Sequence, residues 1–458
     1  MNNRQILRTA KSFLAAAAAV LVFSVMTATH SHAQTALAGI DIDAAGVLKV
    51  KMFDGRLHQQ RLAAARQQAP NGVNQQSELR KVSLNRLEAA IAKHIAAGEP
   101  LPEDMRGLAG ITSVQYVFFY PDTNDIVIAG PAEGFIADPT DRFVGIRSGR
   151  PVVLLEDLIT ALRAFGPGSR DTSVISVSID PTQQGLARMQ RFLASVGRNA
   201  NRSDTNRLAQ GLKNNLGLQT VSIKGIPSST HFARVLVEAD YRMKLTGIGL
   251  EQLPVAMKSY VARANPNAIA ANAMERWYFQ PNYDGIAVSE DGLAMKIKER
   301  GVQLVGAGER VANGGRRVAG RGNKASQAFC KDFTDKYNLI AERVRIYAEL
   351  RQLIDLSIAA AYIQKRDFYT QANWDMPVLG NESKVAVQTY TAPEQVETAV
   401  NAIRRGNTLM TPLGGGVSMQ PRLALNPDKL TIDTAGENNQ VKKSAGPSDL
   451  ADGQWWWD

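Results

Sequence analysis

The sequence predicts an α+β protein that has a mixed β-sheet core with a parallel crossover unit, β-hairpins, a C-terminal helical segment and a disordered tail. Three observations predict this class. The 458 residues include 44% hydrophobic and 21% charged residues, a balance typical of soluble globular proteins. Alternating apolar residues beside glycine turns predict strands, and apolar residues three or four apart predict helices. Collagen-like, coiled-coil and membrane-bundle architectures are excluded by the same composition.

The first 33 residues have the three parts of a secretory signal peptide. Arg4, Arg8 and Lys11 precede an apolar run over 13–26, and Ser31-His32-Ala33 supplies the small residues of a cleavage site. The run is shorter than the roughly 20 residues that span a bilayer as a helix. We therefore expect segment 1–33 to be removed, which leaves an exported product, periplasmic or extracellular, without a transmembrane anchor.

The segment over 34–106 is predicted to contain a hairpin followed by helices. The hairpin covers 39–50, where two alternating stretches flank Gly46. A helix over 84–95 follows, with leucine and isoleucine on one face. Gly98 and Pro100 end it.

The α+β core is predicted over 107–310. A hairpin spans 114–129 around the turn composition Pro121-Asp-Thr-Asn124. The predicted elements that follow are a helix over 153–165, a strand over 173–179, helices over 182–196 and 203–216, a strand over 219–223 and a helix over 231–244. The order strand, helices, strand, helix is that of a parallel crossover unit.

The segment 311–325 is rich in glycine and arginine, which predicts an exposed loop or linker. Its Arg316, Arg317 and Arg321 are candidate anion-binding residues. Removal of the leader lowers the net charge from +10 to +7, because the leader holds three basic residues and no acid. An anionic envelope polymer or a protein is therefore a candidate partner, although a solvated linker explains the same residues, and nothing indicates specific nucleic-acid recognition.

A helical segment is predicted over 326–406, with apolar residues of its second helix at positions 347, 350, 354 and 358. Cys330, the only cysteine, lies beside Phe329 and Phe333, which predicts a buried thiol; interchain pairing and nucleophilic catalysis are the alternatives. The segment 407–458 is predicted to be largely disordered. Its terminal tryptophans, 455–457, dock either on the body of the protein or on a partner.

Motifs for chemistry are absent from the sequence. It contains no H-E-x-x-H, no cysteine cluster, no Walker-type loop and no G-x-S-x-G elbow, so no cofactor, metal site or catalytic residue is predicted. If the strands over 173–179 and 219–223 are parallel neighbours, polar residues would meet beyond their carboxyl ends. These candidate ligand-binding residues are Asp180, Thr182, Ser228, Ser229, Thr230 and His231. Ordinary helix capping is the competing explanation for most of them.

Two segments, 238–251 (Glu-Ala-Asp-Tyr-Arg-Met-Lys-Leu-Thr-Gly-Ile-Gly-Leu-Glu) and 348–356 (Ala-Glu-Leu-Arg-Gln-Leu-Ile-Asp-Leu), resemble those of an uncharacterised family of exported bacterial proteins, a domain of unknown function. The resemblance is expected to reach residue 420 and implies a bacterial, exported setting. It implies no activity and no functional residue.

The sequence favours a non-enzymatic binding or structural module of the cell envelope or secreted fraction, because residues that support chemistry are sparse. The alternative is a hydrolase or transferase with its site near Asp180 and His231, for which the two side chains must lie within hydrogen-bond reach or one bridging water.

Overall fold

The computed structural model describes most of the chain from residue 36 onward. The described residues are 36–53, 55–67, 72–138, 142–169, 174–196, 205–264, 273–282, 285–298, 301–312, 315–321, 323–401, 404–405, 408–409, 414–444 and 446–458. The predicted signal peptide, 1–33, lies outside them.

The helices differ in length from one turn to six turns. They are α1 (Gly55–Arg66), α2 (Leu84–Ala97), α3 (Glu103–Arg106), α4 (Leu155–Ala164), α5 (Gln183–Val196), α6 (Thr205–Leu216), α7 (His231–Gly247), α8 (Tyr260–Arg263), α9 (Lys324–Asp335), α10 (Tyr337–Arg343), α11 (Arg345–Lys365), α12 (Phe368–Gln371), α13 (Pro421–Ala424) and α14 (Glu437–Lys443). Among the described helices, none is both long and apolar enough to cross a bilayer.

The strands form two large sheets and two small ribbons. They are β1 (Ala36–Ile42), β2 (Val47–Phe53), β3 (Ser77–Ser83), β4 (Tyr116–Tyr120), β5 (Asp125–Ala132), β6 (Phe135–Ala137), β7 (Phe143–Gly145), β8 (Ile175–Pro181), β9 (Leu218–Lys224), β10 (Ala273–Pro281), β11 (Ile286–Ser289), β12 (Ala294–Ile297), β13 (Val302–Ala312), β14 (Gly315–Arg321), β15 (Gln395–Glu397), β16 (Arg404–Arg405), β17 (Thr408–Leu409), β18 (Gly414–Met419), β19 (Leu430–Asp433) and β20 (Trp456–Trp457).

Both large sheets are mixed, as predicted. The first has nine described strands in the order β1-β2-β15-β9-β8-β18-β10-β13-β14, and the second has seven in the order β19-β11-β12-β4-β5-β3-β20. The pairs β2–β15, β10–β18 and β11–β19 are parallel. The predicted hairpins β1–β2 and β4–β5 are present, because glycine at 46 and the Pro121–Asn124 turn supply the reversals.

Helices α7 and α11 form the centre of the molecule. α7 packs against β8 and β18 of the nine-stranded sheet, while α11 packs against α7, α4 and β4 of the seven-stranded sheet. Close packing of α7 on the sheet depends on glycine. A Cβ at Gly415 would lie 2.6 Å from Asp240 Oδ1, and one at Gly247 would lie 1.9 Å from Trp277, distances that a packed interior cannot accommodate.

The strands predicted to form a parallel crossover unit are antiparallel. Residue 180 at the end of β8 pairs with Thr220 near the start of β9, and Ser176 pairs with Lys224. Two helices connect these strands, which is the sequence pattern of a parallel crossover. However, α5 and α6 pack on each other as a hairpin, so the chain returns to the end of the sheet that it left, and β9 runs antiparallel to β8. The helix content is therefore as predicted, while the strand direction is reversed.

The segment 311–325 is largely a β-hairpin rather than a loop. β13 runs to residue 312, β14 occupies 315–321, and the two strands pair antiparallel. The arginines and glycines of β14 are compatible with an edge strand, which tolerates both charge and glycine.

Residues 326–406 are helical only through α12. Beyond it the described chain runs through turns and irregular segments, and β15 joins the nine-stranded sheet between β2 and β9. The segment between 385 and 389 runs over the surface of α4 without forming a strand.

The structure differs from the disorder predicted for 407–458 wherever this stretch is described. β18 lies inside the nine-stranded sheet between β8 and β10, where its three glycines allow close contact. β20 pairs with β3, and Asp458 accepts two hydrogen bonds from the buried guanidinium of Arg80. The polar composition predicted disorder, but these segments are ordered by pairing with strands that are distant in the sequence. The terminal tryptophans dock on the body of the protein.

Candidate functional site

Helix α7 carries charged side chains that are buried. Glu238 and Asp240 are fully buried, and Arg242 and Lys244 are nearly so. A buried charge is stable only when it is paired, so each of these groups requires a partner. Asp240 accepts a hydrogen bond from Lys244 at 2.9 Å, and Arg242 contacts Glu251 at 2.7 Å.

Glu238 is the centre of a larger ion-pair network. It accepts hydrogen bonds from Arg142 at 3.0 Å and from Arg242 at 3.3 Å, and Arg142 also donates to Glu349 of α11 at 3.0 Å. Burial alone would raise the pKa of Glu238, but the guanidiniums of Arg142 and Arg242 outweigh it and lower that pKa. The network joins α7 and α11 to the residue that directly precedes β7.

His231, the first residue of α7, forms a buried pair with Asp157 of α4. Its Nδ1 lies 3.0 Å from Asp157 Oδ2 and 3.1 Å from Oδ1, and its Nε2 is buried without a hydrogen-bond partner. Burial alone would lower the pKa of His231, but Asp157, with smaller contributions from Glu156 and Glu349, raises it. Asp157 lies in the first turn of α4, where the helix dipole favours a carboxylate.

Glu156, the neighbour of Asp157 in α4, pairs with Tyr390. The Tyr390 hydroxyl donates a hydrogen bond of 2.9 Å to Glu156 Oε1, and the Tyr390 backbone N–H donates to the carbonyl of Ser229. Burial raises the pKa of Glu156, and Asp157 adds to the increase while His231 opposes it. The Arg234 guanidinium lies 5.0 Å from the centre of the Tyr390 ring.

A cavity of about 310 Å³ opens beside this cluster, between α4, β7 and the segment 385–390. Eight of its twelve lining residues are apolar and four are polar (Arg106, Glu156, Thr389 and Tyr390), and polar atoms form about half of the exposed lining. The apolar lining residues are Leu101, Phe143, Leu154, Leu155, Ile159, Val385, Ala386 and Val387. A concave cavity that combines apolar walls with a few convergent polar groups is typical of a ligand site.

The structure does not bring Asp180 and His231 together. Asp180 ends β8 and His231 follows β9, and because these strands are antiparallel the two residues lie at opposite ends of the pair. The paired stretch between them, from Thr220 to Lys224, alone spans about 13 Å at ~3.3 Å per residue. Asp180 forms an ion pair with Arg276 at 3.1 Å.

Of the other candidate binding residues, the two threonines cap helices. Thr182 accepts a hydrogen bond from the N–H of Gly185 at the start of α5, and Thr230 accepts one from Ala233 at the start of α7. Ser229 holds Tyr390 through its backbone carbonyl, and Ser228 is exposed. Capping therefore accounts for the threonines, whereas Ser229 and His231 belong to the Glu156–Tyr390 region.

The anion-binding candidates Arg316, Arg317 and Arg321 all lie on β14, at the edge of the nine-stranded sheet among the described strands. Their role in binding an anionic polymer stays a prediction. Cys330 is a free, buried thiol, and burial raises its pKa to about 12, with Glu275 adding to the increase. Across the described ranges, no group of three His, Cys, Asp or Glu side chains could hold a metal ion.

Sequence reasoning missed the polar residues that form this site. Glu156 and Asp157 resemble ordinary acids of a first helical turn, Tyr390 lies in a segment with weak signals, and Arg106 lies in a single turn of helix. One signal was present: His231 begins a helix whose sequence contains five further charged residues among apolar ones, which indicates buried charges that need partners elsewhere.

A family described as "Protein of unknown function (DUF1598)" matches residues 177–260. The match confirms the resemblance to a domain of unknown function over β8 to the start of α8, including the segment 238–251. Comparison with curated proteins and with solved structures gives no match.

The His231–Asp157 pair predicts a pH-dependent contribution to stability. Because the folded-state pKa of His231 lies above its ordinary value of 6.5, the stabilisation is fully present below that value and is lost as the pH rises through the raised pKa. We expect the difference in unfolding free energy between wild type and His231→Gln, measured by urea denaturation, to fall as the pH increases. In an Asp157→Asn background the dependence should shrink. A difference that is constant or increases with pH would contradict the assignment.

Proposed function

We propose that this protein is exported and binds a small amphipathic molecule, without transforming it, in the cavity between α4, β7 and the segment 385–390. The observation that carries the proposal is the cavity itself. Its volume of about 310 Å³ lies within the range of roughly 300–1,000 Å³ found for small-molecule sites. Its apolar walls suit a hydrocarbon body, and Arg106, Glu156 and Tyr390 suit a polar end.

Two features favour binding over catalysis at this site. His231 is only 6% exposed and is not among the residues that line the cavity, so its free Nε2 does not meet a molecule held there. Tyr390, which does line the cavity, has a pKa raised by burial and by Glu156, so its hydroxyl is a hydrogen-bonding group rather than a base. General acid–base catalysis requires a titratable group within hydrogen-bond reach of the substrate, and the carboxyl group that does line the cavity, Glu156, already accepts the Tyr390 hydroxyl at Oε1.

Export is supported by the leader sequence, whose basic, apolar and cleavage-site parts follow in the required order. We expect mass spectrometry of the protein from its native host to find a chain that begins at Gln34 in the envelope or secreted fraction. Recovery of a chain that retains Met1 in the cytosol would overturn this part of the proposal.

The binding proposal is tested with N-phenyl-1-naphthylamine, a neutral apolar dye that fluoresces when it leaves water. We expect saturable binding by the wild-type protein. Ala386→Trp, which enlarges an exposed residue of the cavity lining, should weaken binding at least about tenfold, the effect of about 1.4 kcal/mol.

The matched control is Ala194→Trp on α5, where the alanine is also exposed and lies outside the cavity lining. The control should bind the dye as the wild type does. Equal dye affinity in wild type and Ala386→Trp, or the same loss in both variants, would contradict the proposed site.

A further inference from the structure

The Arg106 side chain lines the cavity and has a guanidinium with unused donors. It lies over the Phe143 ring, 5.2 Å from the ring centre, and in the described part of the chain no hydrogen bond or salt bridge of this guanidinium is found. The arginines on the opposite side of β7 contrast with it, since Arg142 and Arg345 are both paired with carboxylates. Stacking on Phe143 leaves the edge of the guanidinium, which carries all five donors, available to a ligand.

The polar groups of the cavity are separated by depth. Arg106, Ala386 and Thr389 are exposed and form the rim, whereas Phe143, Leu155, Ile159, Val385 and Val387 are buried. Glu156 is half-buried, and its Oε1 already accepts the Tyr390 hydroxyl. An anion is therefore attracted at the rim by Arg106 and is disfavoured deeper in the cavity by Glu156 and the adjacent Asp157.

We propose, on the basis of the binding function above, that the ligand class is an amphipathic carboxylate: its carboxylate pairs with the Arg106 guanidinium at the rim, and its apolar body lies among Leu155, Ile159, Val385 and Val387. An arginine that is planar and held by an aromatic ring matches a carboxylate in bidentate geometry. Deeper in the cavity Glu156 disfavours a second anionic group, so a ligand with a single carboxylate end is favoured. The volume, about ten waters at ~30 Å³ each, admits a short chain rather than a long lipid.

The test uses three probes that share one hydrocarbon chain: octanoate, 1-octanol and octylammonium. Each competes with N-phenyl-1-naphthylamine for the wild-type protein below its micelle-forming concentration. We expect octanoate to displace the dye at a concentration at least about tenfold lower than 1-octanol, because hydrogen bonds between two charged groups are stronger than those of a neutral hydroxyl. Octylammonium should be the weakest of the three.

Arg106→Gln should remove the advantage of octanoate over 1-octanol, measured as the ratio of the two displacing concentrations within the same variant, so that any change in dye affinity cancels. Arg106→Lys should retain part of the preference for octanoate, because lysine keeps the positive charge but cannot form the bidentate contact of a guanidinium. The matched control Arg191→Gln removes an exposed arginine of α5 and should leave all three probes unaffected.

The outcomes separate the two proposals. If the dye does not bind the wild-type protein, the binding function itself is wrong. If the dye binds but octanoate and 1-octanol compete equally, or octylammonium competes best, only the carboxylate assignment is overturned. The carboxylate assignment is also wrong if Arg106→Gln and Arg191→Gln weaken octanoate equally, because the effect would then reflect net charge rather than contact at the rim.

Discussion

Burial of charge on α7 is the constraint on which the rest of the structure depends. Glu238 is fully buried between the two sheets, and an unpaired carboxylate there would cost several kcal/mol. One of its partners is distant in the sequence and the other is local: Arg142 precedes β7, and Arg242 lies one turn later on α7 itself. Through Arg142 the same network reaches Glu349 of α11. The central helices and the β6–β7 ribbon are therefore fixed relative to one another by one set of ion pairs.

The cavity follows from this arrangement. Arg142 and Phe143 are adjacent in the chain, so the ion pairs that fix the Arg142 guanidinium also fix the position of the Phe143 ring. This ring forms one wall of the cavity and contacts the Arg106 guanidinium. On the opposite side, the His231–Asp157 pair ties the start of α7 to the first turn of α4, and this places Glu156 against Tyr390. The family match covers α7 but ends at residue 260, whereas the cavity lining lies outside 177–260.

Local sequence patterns predicted most helices and hairpins. The features that they did not predict depend on contacts between residues that are distant in the sequence. The period of apolar residues identified α7 and α11, and turn residues identified β1–β2 and β4–β5. Strand direction in β8–β9 could not be read from the order of elements, because the α5–α6 hairpin has the same order as a crossover. β18, rich in glycine, and β20, two tryptophans, are ordered by their neighbours. For the site, His231 was identified and its partner was not: Asp157 becomes its neighbour only through the packing of α4 on α7.

The most direct test of the central claim is a double-mutant cycle on Arg142→Met and Glu238→Gln, with unfolding free energies from urea denaturation. Each single change should lower the unfolding free energy, by at most about 3–5 kcal/mol, because it removes one of the two partners of a buried charge. The double variant should be more stable than the sum of the losses by at least ~1 kcal/mol. The exposed pair Lys213–Glu397 provides the comparison, with an expected coupling of roughly 0–1 kcal/mol. Additive losses at Arg142 and Glu238, with coupling no larger than in the exposed pair, would contradict the account.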